Sequence, residues 1–240
     1  PERIQYVRSI LLKKYAIQRW YRKIYGCYLD TYKKMGANGI AIEIGSGASF
    51  AKEVFPNLIT SDIIKYDGVD LITDAGKMPF SDSSLKLVVL CHVFHHIADP
   101  RGFLSEIERC LMSGARTLII DQHCGFFSSI ILRYFHNEGW DPQALSWSFH
   151  SSGPLSGANG ALSWIVFQRD LEVFHRQFPE LRLVRYETTD PLYYWLAGGL
   201  QRWSLLPRKL CALIEAIDRW LVRVHKDFGS MNIIELEKTT

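Results

Sequence analysis

Within this 240-residue chain, Glu43-Ile44-Gly45-Ser46-Gly47 combines residue types and spacing suited to holding a ligand. Glycine has no Cβ, so the backbone at 45 and 47 can turn sharply and approach a bound group closely. If a helix opens after the turn, as the pattern predicts, its free N–H groups favour an anionic group. A dinucleotide fingerprint would need a third glycine, and Phe50 stands in its place. Asp62 falls fifteen residues past Gly47, at the end of the next apolar run. There a carboxylate can accept hydrogen bonds from both hydroxyls of a ribose. Further on come Asp74-Ala75 and the run Cys91-His92-Val93-Phe94-His95-His96.

These groups need a scaffold, and the hydrophobic periodicity supplies one. Residues 4–34 read as one helix, with tyrosines at spacings of three and four and no proline. Short apolar runs at 40–44, 58–62, 85–90 and 117–121 read as buried strands. A helix begins at Pro100 behind an Asp99 cap and is expected to end at Gly114. Residues 170–178 and 210–224 read as helices, and 181–186 and 231–236 as strands. Strands alternating with helices predict an α/β fold, a doubly wound and mostly parallel sheet covered on both faces.

Composition narrows the class. With 48% hydrophobic and 22% charged residues the chain is neither disordered nor low in complexity. Cys27, Cys91, Cys110, Cys124 and Cys211 are scattered and odd in number, which excludes a disulfide framework and points to a reducing, cytoplasmic compartment. No apolar stretch is long enough to span a bilayer, and no secretory signal is evident, although Pro1 in place of Met leaves the native N-terminus open. The net charge of +3 is a cancellation: residues 1–39 hold nine basic and two acidic side chains, 9 − 2 = +7. Residues 142–168 carry no Asp, Glu, Lys or Arg but six serines, a composition suited to a loop or pocket lining.

The ordered pieces AIEIGSGAS at 41–49, SD at 61–62, DAGKMPFSDSSLKLVVLCHVFHHIADP at 74–100 and RTLIID at 116–121 resemble class I S-adenosylmethionine-dependent methyltransferases of the type-11 group, which includes quinone-biosynthesis enzymes. The resemblance implies a seven-stranded, Rossmann-like sheet and S-adenosylmethionine as cofactor, with S-adenosylhomocysteine as product. It implies that Glu43 bonds the methionine amino group and that Gly45, Ser46 and Gly47 hold the methionine end. It places Asp62, with Ile63 beside it, on the ribose, and Asp74 with the Ala75 N–H on the adenine. Cys91 and His92 are then expected near the sulfonium. The usual Pro-Gly-Gly before the fifth strand is Ser113-Gly114-Ala115 here, and past residue 125 the motifs no longer apply.

A hydroxyl acceptor calls for a base. His92, His95, His96, His123 and His150 are candidates, with His123 and His150 put forward as the catalytic pair to test. No metal is expected, because no carboxylate or cysteine stands at a helical ligand spacing that closes a shell with the histidines. The expected organisation is a single domain: residues 1–36 a helical cap, 37–121 a cofactor half, and 122–240 a substrate half with insertions at 122–168 and 191–228. Those insertions are diffusely similar to bacterial methyltransferases of surface-polysaccharide synthesis, which suggests a sugar hydroxyl on a small or lipid-linked acceptor. C-methylation of a quinone-type ring, RNA methylation through the basic arm, and a non-catalytic cofactor-binding protein are the alternatives. The acidic remainder speaks against nucleic acid, and the aromatic and basic residues near both ends suggest contact with an anionic inner membrane surface.

Overall fold

The computed structural model describes residues 2–36, 38–135, 138–153 and 156–239. One sheet of seven strands runs through it: β1 Ile40–Ile44, β2 Ile59–Asp62, β3 Leu71–Ile72, β4 Leu85–Cys91, β5 Leu111–Gln122, β6 Leu181–Thr189 and β7 Met231–Lys238. Their spatial order is β3-β2-β1-β4-β5-β7-β6. The strands from β1 to β5 pair in parallel, whereas β7 is antiparallel to both β5 and β6. The expected mostly parallel, doubly wound sheet is therefore present, closed by an antiparallel hairpin.

Alternation along β4 explains the layering. Val88 and Leu90 pack on one face with Phe103, Leu104 and Ile107 of α3 (Pro100–Cys110). Leu87 and Val89 pack on the other with Trp20, Ile24 and Tyr28 of α2 (Tyr15–Lys34). Every residue of β4 before Cys91 is buried, as a central parallel strand requires. The strand order reverses between β1 and β4, and such a switch point opens a crevice at the strands' carboxyl ends.

Several local expectations change. The N-terminal segment is two helices, α1 (Glu2–Leu11) and α2, broken at residues 12–14. Lys14 lies at the break, where its buried ammonium donates to the carbonyls of Gly199 and Gln201. No helix follows Gly47; a single 3₁₀ turn at Ala51–Glu53 takes its place, so the helix-dipole argument does not apply there. Helix α3 stops at Cys110, and Gly114 (φ +73°) lies within β5. The uncharged segment has two characters. Its described residues 142–153 and 156–161 form no regular helix or strand; beyond them, and after α4 (Phe126–Tyr134) earlier in the chain, comes a buried helical stretch formed by α5 (Leu162–Trp164) and a π turn at Ile165–Arg169. Leu162, Ile165, Val166 and Phe167 are fully buried, so the missing charge there reflects core packing. Helices α6 (Leu171–Gln177), α7 (Tyr193–Leu196) and α8 (Cys211–Val224) complete the chain. Among the described residues, no helix is long and apolar enough to cross a membrane.

Candidate functional site

A cavity of about 830 Å³ opens at the switch point, lined by the loops after β1, β2 and β4 and roofed by α1 and α2. Its volume lies within the range of about 300–1,000 Å³ usual for small-molecule sites. Glu43, Gly45, Ser46, Gly47, Asp62, Ile63, Asp74, Ala75, Cys91 and His92 all line it. The sequence-derived cofactor set is thus brought together in one place.

The glycine turn is held from β2. The Ser46 N–H donates to the Ser61 carbonyl at 2.8 Å, and the Gly47 N–H donates to Asp62 Oδ2 at 2.9 Å. The Ile64 N–H donates to Asp62 Oδ1 at 2.9 Å, so both carboxylate oxygens are fixed by backbone. Gly45 disfavours any side chain on two counts. Its φ is +67°, and a Cβ there would stand 2.5 Å from Val93 Cγ2. Asp74 bonds the Gly76 N–H at 2.8 Å and is exposed, whereas Ile63 is an exposed apolar side chain at the rim.

Glu43 is the electrostatic centre of the site. It is buried, and burial pushes its pKa up to about 7, with Ser49 and Ser46 opposing and Asp62 adding to the rise. Its Oε2 is buried without a hydrogen-bond partner among the described residues. A buried acceptor in that state is costly unless a ligand completes it. That orphan oxygen fits a cationic amino group.

His92, just past β4, has φ +56°, rare for a residue with a side chain and typical of functional sites. Its ring lies 5.5 Å from Trp20 and 4.9 Å from Tyr194 by centroids, and burial pushes its pKa down to about 4. Beside it, burial raises the Cys91 thiol well above its ordinary range. Both groups are therefore neutral near pH 7.

The other histidines divide. His123 is buried but lies outside the cavity lining, bonded to the Tyr186 hydroxyl at 2.9 Å, and burial lowers its pKa to about 4. His150 is exposed; its neighbour Ser151 reaches the cavity wall instead. Thus the structure does not bring the proposed bases to the cavity. It brings His96 there, together with Glu138, which sequence reasoning missed. Glu138 stands in no motif, and no spacing signal could have found it. His95, behind His96, is buried, with Nδ1 at 2.6 Å from Asp121 and Nε2 at 3.4 Å from Glu138.

The basic arm is largely engaged in the fold. Arg8 donates to the Ser49 carbonyl, Arg19 forks onto Glu215, Arg22 pairs with Glu53 and Lys23 with Asp190. Tyr21 and Tyr25 face the cavity, as expected of a cap packed inward.

Residues 25–119 match the type-11 family described as a methyltransferase domain. No curated protein matches the sequence. Among solved structures, a SAM-dependent methyltransferase from Archaeoglobus fulgidus is 16% identical, with 90% of this chain and 94% of that chain covered and a TM-score of 0.52. A geranyl diphosphate C-methyltransferase from Streptomyces coelicolor A3(2), solved with Mg2+, geranyl diphosphate and S-adenosyl-L-homocysteine, is 13% identical over 93% of this chain and 80% of that one, with a TM-score of 0.52. The [4+2]-cyclase SpnF is 10% identical over 89% and 80%, with a TM-score of 0.50. At such identities the likeness is one of fold, and SpnF carries a different chemistry in its name.

Proposed function

As a class I S-adenosylmethionine-dependent methyltransferase of the type-11 group, marked by residues 25–119, the chain acts, we propose, on a hydroxyl of a small or lipid-linked acceptor, with a sugar of surface-polysaccharide synthesis as the first choice. When bound, S-adenosylmethionine supplies an electrophilic methyl group on a sulfonium sulfur. Glu43 accepts from the amino group, Asp62 from the ribose hydroxyls, and Asp74 with the Ala75 N–H reads the adenine, while Ile63 shields it. Neutral Cys91 and His92 border the reacting end and leave the sulfonium without a competing counter-charge. The α1–α2 roof excludes water. Positioning of this kind supplies roughly 7–11 kcal/mol of barrier reduction in ideal cases.

The partnerless Glu43 oxygen, on one wall with the backbone-pinned Asp62, is the observation that carries the cofactor reading. For the acceptor, Ser151 and Gly153 with Tyr21 and Tyr25 offer neutral polar groups and aromatic faces, which suit a carbohydrate. The five arm residues tied to internal partners weigh against RNA as substrate. A lipid-linked acceptor gains support from α8. Its exposed positions hold Leu213, Arg219, Trp220, Arg223 and Val224, while both its acids turn inward, Glu215 to Arg19 and Asp218 to the N–H groups of Leu192 and Tyr193. An apolar and purely basic outward face suits an anionic bilayer surface.

The test is transfer of a labelled methyl group from S-adenosylmethionine to nucleotide sugars and lipid-linked glycans, beside quinones and RNA. Incorporation into carbohydrate is expected. Labelling of only the quinone or only the RNA would overturn the acceptor assignment.

A further inference from the structure

Three side chains from two distant segments converge beside the cavity: His95, His96 and Glu138. Their ligand atoms all lie within 4.8 Å of one another. Each histidine has its Nδ1 already engaged. That of His95 faces Asp121 Oδ1 at 2.6 Å, and that of His96 faces the Gly157 carbonyl at 3.2 Å. With those partners accepting, each Nδ1 donates, so Nε2 is the ring atom left to face a ligand. Both Nε2 atoms look toward one carboxylate: Glu138 Oε2 is 3.4 Å from His95, and Oε1 is 3.8 Å from His96. A closed charge-assisted hydrogen bond would be about 2.7–2.9 Å. Ligands about 2.1 Å from a tetrahedral ion are instead about 3.4 Å apart.

We propose that His95 Nε2, His96 Nε2 and Glu138 form a binding site for a divalent transition-metal ion of the zinc class, open on its fourth side to the cavity. A carboxylate behind one histidine and a backbone carbonyl behind the other are the outer partners that fix the tautomer of metal-ligating imidazoles. Two imidazoles and one carboxylate are the ligand set of open, reactive zinc sites. His96 and Glu138 line the cavity, so the open position meets whatever occupies its acceptor end. There the ion takes an oxygen donor of the acceptor, a role that rests on the methyl-transfer reading; the metal site itself does not. The carboxylate that the local sequence spacing lacked arrives from a loop forty-two residues past His96. That loop is anchored to the histidine turn by the Asn159 N–H on the His95 carbonyl at 2.9 Å.

The test uses the full chain, stripped by chelator and free of any histidine tag, titrated with Zn2+ by calorimetry and with Co2+ by visible absorption. One ion per chain is expected, with tetrahedral Co2+ bands. Glu138→Gln and His96→Ala should each weaken binding at least 100-fold, and Asp121→Asn roughly 10–100-fold. His150→Ala serves as the control that leaves it unchanged. Titration of each variant with S-adenosylhomocysteine, run separately, shows whether the fold and the cofactor site persist. Retained cofactor binding with no metal uptake by the wild-type chain would overturn the metal site alone, leaving an ion pair between His95 and Glu138. Metal uptake unaltered in Glu138→Gln and His96→Ala would overturn it equally.

Discussion

Residues 40–121 and residues 122–240 build one sheet yet place their functional groups by different means. In the first half the glycine turn and Asp62 sit at the carboxyl ends of the adjacent strands β1 and β2, and hydrogen bonds between those two ends hold them: β2 ties the glycine turn through Ser61 and Asp62. In the second half the partners are remote. Glu138 meets His95 and His96, Lys14 holds the 199–201 turn, and Asp218 caps the backbone at Leu192 and Tyr193. Hydrogen bonds between adjacent strand ends fix one wall of the cavity; pairing between remote segments places the groups of the other.

The sharpest way to break that contrast is Asp62→Ala. On the proposed reading it removes the ribose hydrogen bonds, and it frees the Gly47 and Ile64 N–H groups together. Hydrogen bonds to a charged group are worth about 1.5–3 kcal/mol each, so cofactor affinity should fall by roughly 100-fold or more in calorimetry. Unchanged affinity would dissolve the distinction between the halves. Next comes Gly45→Ala, which forces an alanine into a left-handed conformation costing about 1–2 kcal/mol and a collision with Val93. A melting temperature lowered by several degrees, with weakened cofactor binding, is expected.

A gentler pair probes the second half. Trp220→Ala with Arg223→Glu on the outward face of α8 should leave stability within about 0.5 kcal/mol, as for most exposed substitutions. The same variant should lose most co-sedimentation with anionic vesicles at low salt. Retention equal to the parent chain would remove α8 from the membrane contact. The smallest effect belongs to His150→Ala, whose side chain is exposed and off the cavity lining. Its turnover should change less than twofold, and a loss beyond tenfold would return His150 to the reacting centre.

The same contrast explains what could be read from the sequence. Strands at 40–44, 58–62, 85–90 and 117–121 are visible as apolar runs because both faces of the sheet are buried, and the glycine pair and Asp62 mark the turns that end two of them. The break at residues 12–14 was hidden, and the two carbonyls that hold the Lys14 ammonium there lie some 185 residues away. The 142–168 segment misled for a related reason: core and pocket lining both exclude charge, and only packing separates Leu162 and Phe167 from Ser151. The strand β3, two residues long, offers no periodicity to detect. Helix α8 was visible from its apolar spacing, but Leu213 and Val224 of that spacing are exposed in the structure and do not pack into the core.

The central claim is that Glu43 is a ligand-completed carboxylate for a cationic amino group, and one titration addresses it. In the free protein burial holds the group's pKa at about 7, above its ordinary 4.5, so at lower pH it is protonated and must release a proton to accept from an ammonium group. Calorimetry of S-adenosylhomocysteine binding between pH 5.5 and 8 should therefore show affinity rising with pH by up to roughly tenfold per unit below about 7, with proton release, and then levelling. Glu43→Gln should bind more weakly at pH 8 and lose that dependence. Binding of equal strength in the two proteins, with the same pH profile, would contradict the account.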